Sequence, residues 1–435
     1  MRTLITLLLG LVGLAWGWDL AQAVPPVGAH PWWIARQQLL TLSGFLSIAL
    51  MSLVMLLATR PAWLESPLGG MDHIYRTHKW AGILAVVFAA LHWLIEMSGD
   101  ILKALIGREG RVPKEQYTGF LEVLRDLAGD MGEWAIYAVL AMLALTLWKK
   151  FPYRTWRVLH KSMPVIYLML AFHAALLAPL SSWLEPAGAL LAVLLAAGVY
   201  GAVRSLLGSI GRSREATGRI VAIEHPSGDV ATVRCLLERG WRGHQAGQFA
   251  FVTFEDREGA HPFTIASANH GDNTVTFQIK ALGDYTGALA QRLHLGQTVR
   301  VEGPYGRFDL ERRNPKARQI WIAGGIGVTP FLAWLESLQA QPDQAPAAEL
   351  HYCTRDQDGD AFVPRLETMC STLPGIKLHI HGARQGNTLT AAALQGTQKT
   401  EIWFCGPSGL ATALRHGLRA LGARPRFHQE AFEMR

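Results

Sequence analysis

HKWAGILAVVFAALH, residues 78–92, and HKSMPVIYLMLAFH, residues 160–173, are the two stretches whose reading decides this chain. Each is an apolar segment with a histidine at either end. The separations are 14 and 13 residues, which along a helix correspond to about 21 Å and about 20 Å at ~1.5 Å per residue. Fourteen residues make nearly four turns and thirteen a little over three and a half, so the two rings of the first segment lie on roughly one side. Two such helices running the same way would face four imidazoles in two layers. The layers would sit near opposite faces of a ~30 Å hydrocarbon core. A single histidine in an apolar helix is ordinarily hydrogen-bonded to its neighbour. Two pairs at near-equal spacing point instead to axial ligation of two haem irons, His78 with His160 and His92 with His173.

Around these stretches the 435 residues divide unevenly. Long apolar runs fill residues 1–210, and residues 211–435 have the mixed composition of a soluble enzyme. The net charge of +7 does not call for nucleic acid, because the excess falls where the positive-inside rule places it. Arg60, Arg76 and Lys79 lie between the second and third spans. Lys149, Lys150, Arg154, Arg157 and Lys161 lie between the fourth and fifth, and Arg204, Arg212 and Arg214 follow the sixth. The loop 179–186 carries no Lys or Arg. The four cysteines, Cys235, Cys353, Cys370 and Cys405, are all in the second half and match no zinc or CxxC spacing. They imply no disulfide framework, in keeping with a reducing cytoplasm.

In chain order, residues 3–24 form an apolar first span. Ala21-Gln22-Ala23 resembles a signal-peptidase site, but the thin basic start favours a retained helix. Further spans are expected at 36–58, 78–98, 133–148, 158–178 and 187–207. Tyr117, Phe120, Leu121, Leu124 and Leu127 form an amphipathic stripe in the external segment 99–132, which predicts a surface helix. His73 is a competitor for His78, in the loop before it. After a basic linker, short alternating strands with turns between them predict an antiparallel β-barrel over 211–314. Strand-then-helix repeats predict a parallel α/β domain over 315–435. The fold class is therefore a multi-domain membrane protein: an all-α six-helix transmembrane haem bundle, a β-barrel domain and an α/β nucleotide-binding domain.

Two glycine-rich turns carry the chemistry of the last domain. Gly324-Gly325-Ile326-Gly327-Val328-Thr329-Pro330 joins a strand to a helix, where backbone N–H groups and the helix start favour a pyrophosphate. Cys405-Gly406-Pro407-Ser408-Gly409 ends another strand of the same sheet, so both turns converge on one crevice.

His261-Pro262-Phe263-Thr264-Ile265-Ala266-Ser267, with Phe277-Gln278-Ile279-Lys280 and Gly283-Asp284-Tyr285-Thr286, resembles the flavin site of the ferredoxin–NADP reductase superfamily. The closer likeness is to the NADPH oxidase and ferric reductase branch, and here to a bacterial member of it. Val301-Glu302-Gly303-Pro304-Tyr305-Gly306, Thr354-Arg355, the two glycine turns and the histidine pairs occur in that family's order over residues 36–435. The resemblance implies FAD, two b-type haems and NADPH or NADH. It implies that His261, Pro262, Phe263 and Thr264 flank the isoalloxazine and that Lys280, Gly283 and Thr286 hold the FAD pyrophosphate. It implies that Gly324, Gly325, Gly327, Thr329, Pro330, Cys405, Gly406 and Pro407 line the dinucleotide site, with Arg355 against a 2′-phosphate. Phe432 would be the terminal aromatic stacked on the flavin; Thr264, Cys405 and Phe432 are the candidate catalytic residues.

Arg36 matches a family arginine near the outer haem. Where oxygen-reducing members carry a histidine one turn beyond the outer ligand, this chain has Glu96. A carboxylate there would attract ferric iron or pair with Arg36. The implied activity is transfer of electrons from cytoplasmic NAD(P)H across the bacterial inner membrane to ferric iron or molecular oxygen. The alternatives are an electron-transfer subunit serving a membrane or periplasmic redox partner, and a haem-free anchor for a flavin reductase.

Overall fold

A computed structural model describes residues 2–113, 115–148, 150–227, 229–238, 240–255, 259–282 and 284–430. Gly283 and Phe432, two of the expected cofactor contacts, lie outside the described residues. The chain falls into two compact units, Met1–Leu68 with His73–Ile210, and Gly69–Asp72 with Gly211–Arg435.

The first unit is helical: α1 (Arg2–Gln22), α2 (Pro31–Ala58), α3 (Ala62–Leu68), α4 (Met71–Ile106), α5 (Phe120–Leu147), α6 (Tyr153–His160), α7 (Met163–Leu177) and α8 (Pro186–Leu206). Six helical stretches among the described residues are long and apolar enough to cross a membrane. Helix ends follow local chemistry. Pro31 stands in the first turn of α2, where its missing N–H costs nothing, and the His30 ring accepts from the Trp32 N–H. At the other end Arg60 takes a left-handed φ of 52° and Pro61 prevents continuation.

The packing of α8 on α2 and α7 depends on glycine. A Cβ at Gly201 would lie 2.4 Å from the Met55 carbonyl oxygen, and one at Gly198 would lie 1.9 Å from the Tyr167 hydroxyl. Small residues let the backbones approach, which is how helices associate in lipid. Tyr167 then spans the bundle core, 2.9 Å from Ser52 Oγ. The first helix is part of this packing: Ile5 and Val12 are buried in the bundle core, and Asp19 accepts from the Ala187 N–H at 3.3 Å.

Three boundaries differ from the sequence reading. The third span runs far past 78–98 at both ends, as a 36-residue helix of about 54 Å, and His73 lies in its first turn. The expected surface helix around residues 117–127 and the fourth span are one continuous helix, α5, from which Tyr117 is excluded. The apolar stripe there continues in phase into the span. The fifth span is broken: α6 ends at His160 and α7 starts at Met163. Pro164 explains the break, since it has no N–H for the His160 carbonyl. The chain tightens there through Lys161 N–H to Val158 O and Ser162 N–H to Leu159 O.

The second unit begins with six strands, β1 (Glu215–Ser227), β2 (Val230–Leu237), β3 (Phe249–Thr253), β4 (His261–Thr264), β5 (Thr274–Lys280) and β6 (Thr298–Tyr305), plus helix α9 (Asp284–Arg292). Their order is β4-β3-β6-β1-β2-β5. The closed barrel expected from the strand pattern is not formed. The sheet curls until its two edges touch at one bridge, Ile265 to Phe277, and a ladder between β4 and β5 is not present among the described residues. β4, with only four residues, is too short to zip the edges together. The remainder is a parallel sheet, β7 (Arg318–Gly324), β8 (Ala348–Thr354), β9 (Ile376–Gly382), β10 (Thr400–Cys405) and β11 (Arg426–Glu430), in order β11-β10-β7-β8-β9. It is flanked by α10 (Thr329–Ala340), α11 (Phe362–Ser371) and α12 (Ser408–Ala420). Trp321, Trp334 and Trp403 are fully buried at its centre, and Trp334 Nε1 donates to the Ala246 carbonyl at 2.9 Å, tying the parallel sheet to the curled one.

Candidate functional site

The four histidines come together in pairs. The His78 and His160 ring centres are 6.5 Å apart, and those of His92 and His173 are 6.3 Å apart. A metal about 2 Å from each Nε2, with Nε2 roughly 1.1 Å from its ring centre, requires about 6.2 Å from centre to centre. Both pairs are therefore spaced for one iron between two imidazoles, and the chemistry of the donors fits bis-histidine haem.

Three of the rings are oriented by backbone oxygens. His78 Nδ1 is 3.1 Å from Val54 O, His92 Nδ1 is 2.9 Å from Leu40 O, and His173 Nδ1 is 2.8 Å from Ala128 O. A histidine whose Nδ1–H donates to a carbonyl presents a bare Nε2 to a metal. His160 is held differently, stacked on Trp156 at 4.7 Å. Its place at the end of α6, just before the proline break, frees it from the register of His173.

Sequence reasoning missed two glycines here. A Cβ at Gly132 would lie 2.2 Å from His173 Nδ1, and one at Gly44 would lie 2.9 Å from His92 Nδ1. Each follows its ring's acceptor by four residues: Leu40 then Gly44, Ala128 then Gly132. That is the position stacked one turn above the acceptor, so only glycine leaves room for the imidazole.

Arg36 and Glu96 also meet. Arg36 Nη2 is 2.9 Å from Glu96 Oε2, and the guanidinium also donates to the carbonyls of Ile95 at 3.1 Å and Glu96 at 2.7 Å. The arginine is thus pinned to α4 one turn beyond His92. The Glu96 side chain remains 57% exposed, so its carboxylate faces outward despite the pairing.

In the second unit, Pro262 sits on β4, an edge strand, where its lack of an N–H breaks no outer ladder. His261 stacks on Tyr285 at 3.9 Å; Thr264 is buried. Lys280 pairs with Asp229 at 3.2 Å. Thr286 Oγ1 accepts from the Leu282 N–H at 3.1 Å.

The two glycine turns converge as their strand ends predict. β7 and β10 are parallel neighbours with Ala323 opposite Cys405. A Cβ at Gly327 would lie 2.3 Å from the Cys405 carbonyl oxygen, and one at Gly406 would lie 2.9 Å from the Gly324 nitrogen. Gly325 has a φ of 55°. Thr329 and Pro330 open α10 directly behind this turn, with Thr329 Oγ1 on the Ile326 carbonyl at 2.6 Å. This leaves a glycine-lined cradle at a helix start, suited to a pyrophosphate. Cys405 is buried, and burial pushes three other thiols up, Cys235 and Cys353 to about 12 and Cys370 to about 11. Arg355 is exposed just after β8. Asp360 shapes that loop, accepting from Tyr352 at 2.8 Å and Thr354 at 2.5 Å.

Residues 43–171 match the family described as the ferric reductase like transmembrane component, and residues 217–309 match the FAD-binding domain. The chain is a multi-pass membrane protein with a ferric reductase-like transmembrane domain followed by a FAD-binding domain. Over 148 residues it is 32% identical to a vanillate O-demethylase oxidoreductase of a Pseudomonas species, covering 33% of this chain and 45% of that one. Over 146 residues it is 36% identical to the heme-dependent oxidative N-demethylase beta subunit of Ectopseudomonas mendocina, covering 33% and 44%. The chain thus spans about half the length of the curated relatives it matches. Among solved structures, flavohemoglobin from Malassezia yamatoensis aligns with a TM-score of 0.48 at 17% identity, over 72% of this chain and 96% of that one.

Proposed function

We propose that this chain is a transmembrane oxidoreductase of the bacterial inner membrane, passing electrons from cytoplasmic NADPH or NADH through FAD and two bis-histidine b-type haems to an acceptor outside. The carrying observation is the pair of histidine couples, 6.5 and 6.3 Å between ring centres, on a chain that also holds a FAD-binding domain. Bound FAD would supply the conversion from hydride to single electrons, and haem iron would supply one-electron relay sites.

The protein's own part is positional. His78 with His160 and His92 with His173 would each hold one haem iron, and carbonyls of α2 and α5 fix three of the rings. His261, Pro262, Phe263 and Thr264 would flank the isoalloxazine. Lys280 and Thr286, with Gly283 outside the described residues, would hold the flavin pyrophosphate. The turn Gly324–Pro330 and the turn Cys405–Pro407 would cradle the dinucleotide, Arg355 would pair with a 2′-phosphate, and Phe432, outside the described residues, would be the aromatic that stacks on the flavin. The exposed Glu96 carboxylate beside the outer pair favours a cationic acceptor, ferric iron, over oxygen.

A second reading, that the chain is a reductase subunit for a separate redox partner, is favoured by the names of its relatives, which are oxidoreductase and reductase components. Liposomes holding trapped ferric chelate, or cytochrome c with and without superoxide dismutase, decide between them when NADPH is added on the flavin-domain side. Reduction of the trapped ferric chelate supports the first reading. Haems that reduce while every trapped acceptor stays oxidised support the second. Purified protein without any low-spin haem refutes both.

A further inference from the structure

The parallel sheet carries a cluster of histidines that the redox site does not use. β8 and β9 pair in parallel with Glu349 opposite Lys377, His351 opposite His379 and Cys353 opposite His381. Side chains alternate along a strand, so Glu349, His351, His379 and His381 share one face. Ligand atoms of Glu349, His351 and His379 lie within 4.8 Å of one another.

We propose that Glu349, His351 and His379 bind a divalent transition-metal ion. His351 is only 4% exposed. Its Nδ1 is engaged with His381 Nε2 at 3.0 Å, while its Nε2 is buried with no hydrogen-bond partner. That nitrogen points at Glu349 Oε2 from 3.8 Å, beyond hydrogen-bond range but with room for an ion between the two after a small adjustment.

Outer partners are already in place. Arg318 grips the Glu349 carboxylate at 2.8 and 2.7 Å and uses one lone pair on each oxygen, leaving the others available. With its proton on Nδ1 and donated to His381 Nε2, His351 keeps its Nε2 bare for a metal. A ligand set whose members are held by second partners is the usual build of a metal site. His379 is exposed and stacks on His351 at 4.7 Å, so it provides both the entry path and a ring able to turn inward. Two imidazoles and a carboxylate suit zinc, copper or nickel rather than magnesium or calcium. The ion would clamp the edge strand β9 to β8, the strand that ends at Thr354 and Arg355. None of this depends on the proposed redox function.

The test is titration of Zn²⁺ into chelator-stripped, haem- and flavin-loaded full-length protein without a histidine tag, with Co²⁺ absorption as a second probe. One tight site per chain and visible bands of a low-coordinate Co²⁺ are expected. His379→Ala, at an exposed position that folding does not need, should weaken Zn²⁺ by more than about 100-fold, beyond the 10–100-fold typical of an outer partner, and His381→Asn should fall within that smaller range. Glu349→Gln keeps one acceptor for Arg318 and should also lose the site. Absence of a tight site in the parent, or His379→Ala and Glu349→Gln binding Zn²⁺ as tightly as the parent, overturns the proposal.

Discussion

On the proposed two-haem assignment, Gly132→Ala should strip the outer haem from the protein while leaving the inner one. The new methyl would lie 2.2 Å from His173 Nδ1 and 2.4 Å from Cε1, where ordinary contact starts at 3.4 Å. The ring must retreat by more than an ångström, which opens its 2.8 Å hydrogen bond to Ala128 O and spoils the 6.3 Å separation from His92. A buried partner left unpaired costs about 1–3 kcal/mol, equivalent to the roughly 10–100-fold loss of metal affinity seen when an outer partner is removed. Gly129→Ala is the control. It lies one turn earlier on α5 with nothing within 4 Å of its Cβ, so the substitution should gain up to about 1 kcal/mol of helix propensity. Haem per chain, counted by pyridine haemochrome and by low-spin electron paramagnetic resonance, should fall from two toward one in Gly132→Ala and stay at two in Gly129→Ala. Two unperturbed low-spin centres in Gly132→Ala would refute the steric argument.

Other outcomes follow from the same geometry. Gly44→Ala, with a clash of only 2.9 Å, should shift the outer haem's midpoint potential in a redox titration without expelling it. Burial alone would raise the Glu401 carboxyl, but the Asn314 N–H, His428 and Gln319 outweigh it and hold it below the ordinary carboxylate range. Its folded-state pKa is depressed, so its contribution is complete above the unfolded value of ~4.3 and is lost as pH falls through the folded one. Glu401→Ala should flatten the acid limb of stability followed by circular dichroism and cost about 1–3 kcal/mol at neutral pH. Trp334→Ala should cost about 3–5 kcal/mol and lower FAD retention on gel filtration, because Trp334 joins the two sheets. Arg355→Ala should raise the KM for NADPH about tenfold or more and leave that for NADH unchanged; equal changes for both would remove its assigned role.

How much of this was legible in the sequence depends on the range of the interaction. Histidine spacing on a helix is local, and the 14 residues between His78 and His92 place both rings on one side of α4, whereas His160 and His173, half a turn out of phase on a regular helix, both reach their partners because the helix breaks between them. The nucleotide turns were legible because glycine marks the close approach of Gly327 to Cys405. The break after His160 was written in Pro164 but hidden by the apolar run around it. Gly44 and Gly132 gave no local signal, since what they accommodate arrives from another helix. The open edge of the curled sheet was equally hidden, because strand patterns count strands without saying whether the last meets the first. His351 and His379 look unrelated until β8 and β9 are aligned in register.

The acceptor carbonyls of α2, at Leu40 and Val54, are as many residues apart as the rings they receive, at His92 and His78. One helix therefore serves as a ruler for the other. A single inserted residue between 40 and 54 would turn one end by about 100° and lift it by about 1.5 Å, stranding one ring while the other kept its oxygen. Length changes that adapt this bundle to a thicker or thinner bilayer are confined to the helix tips, or must occur in both helices at once.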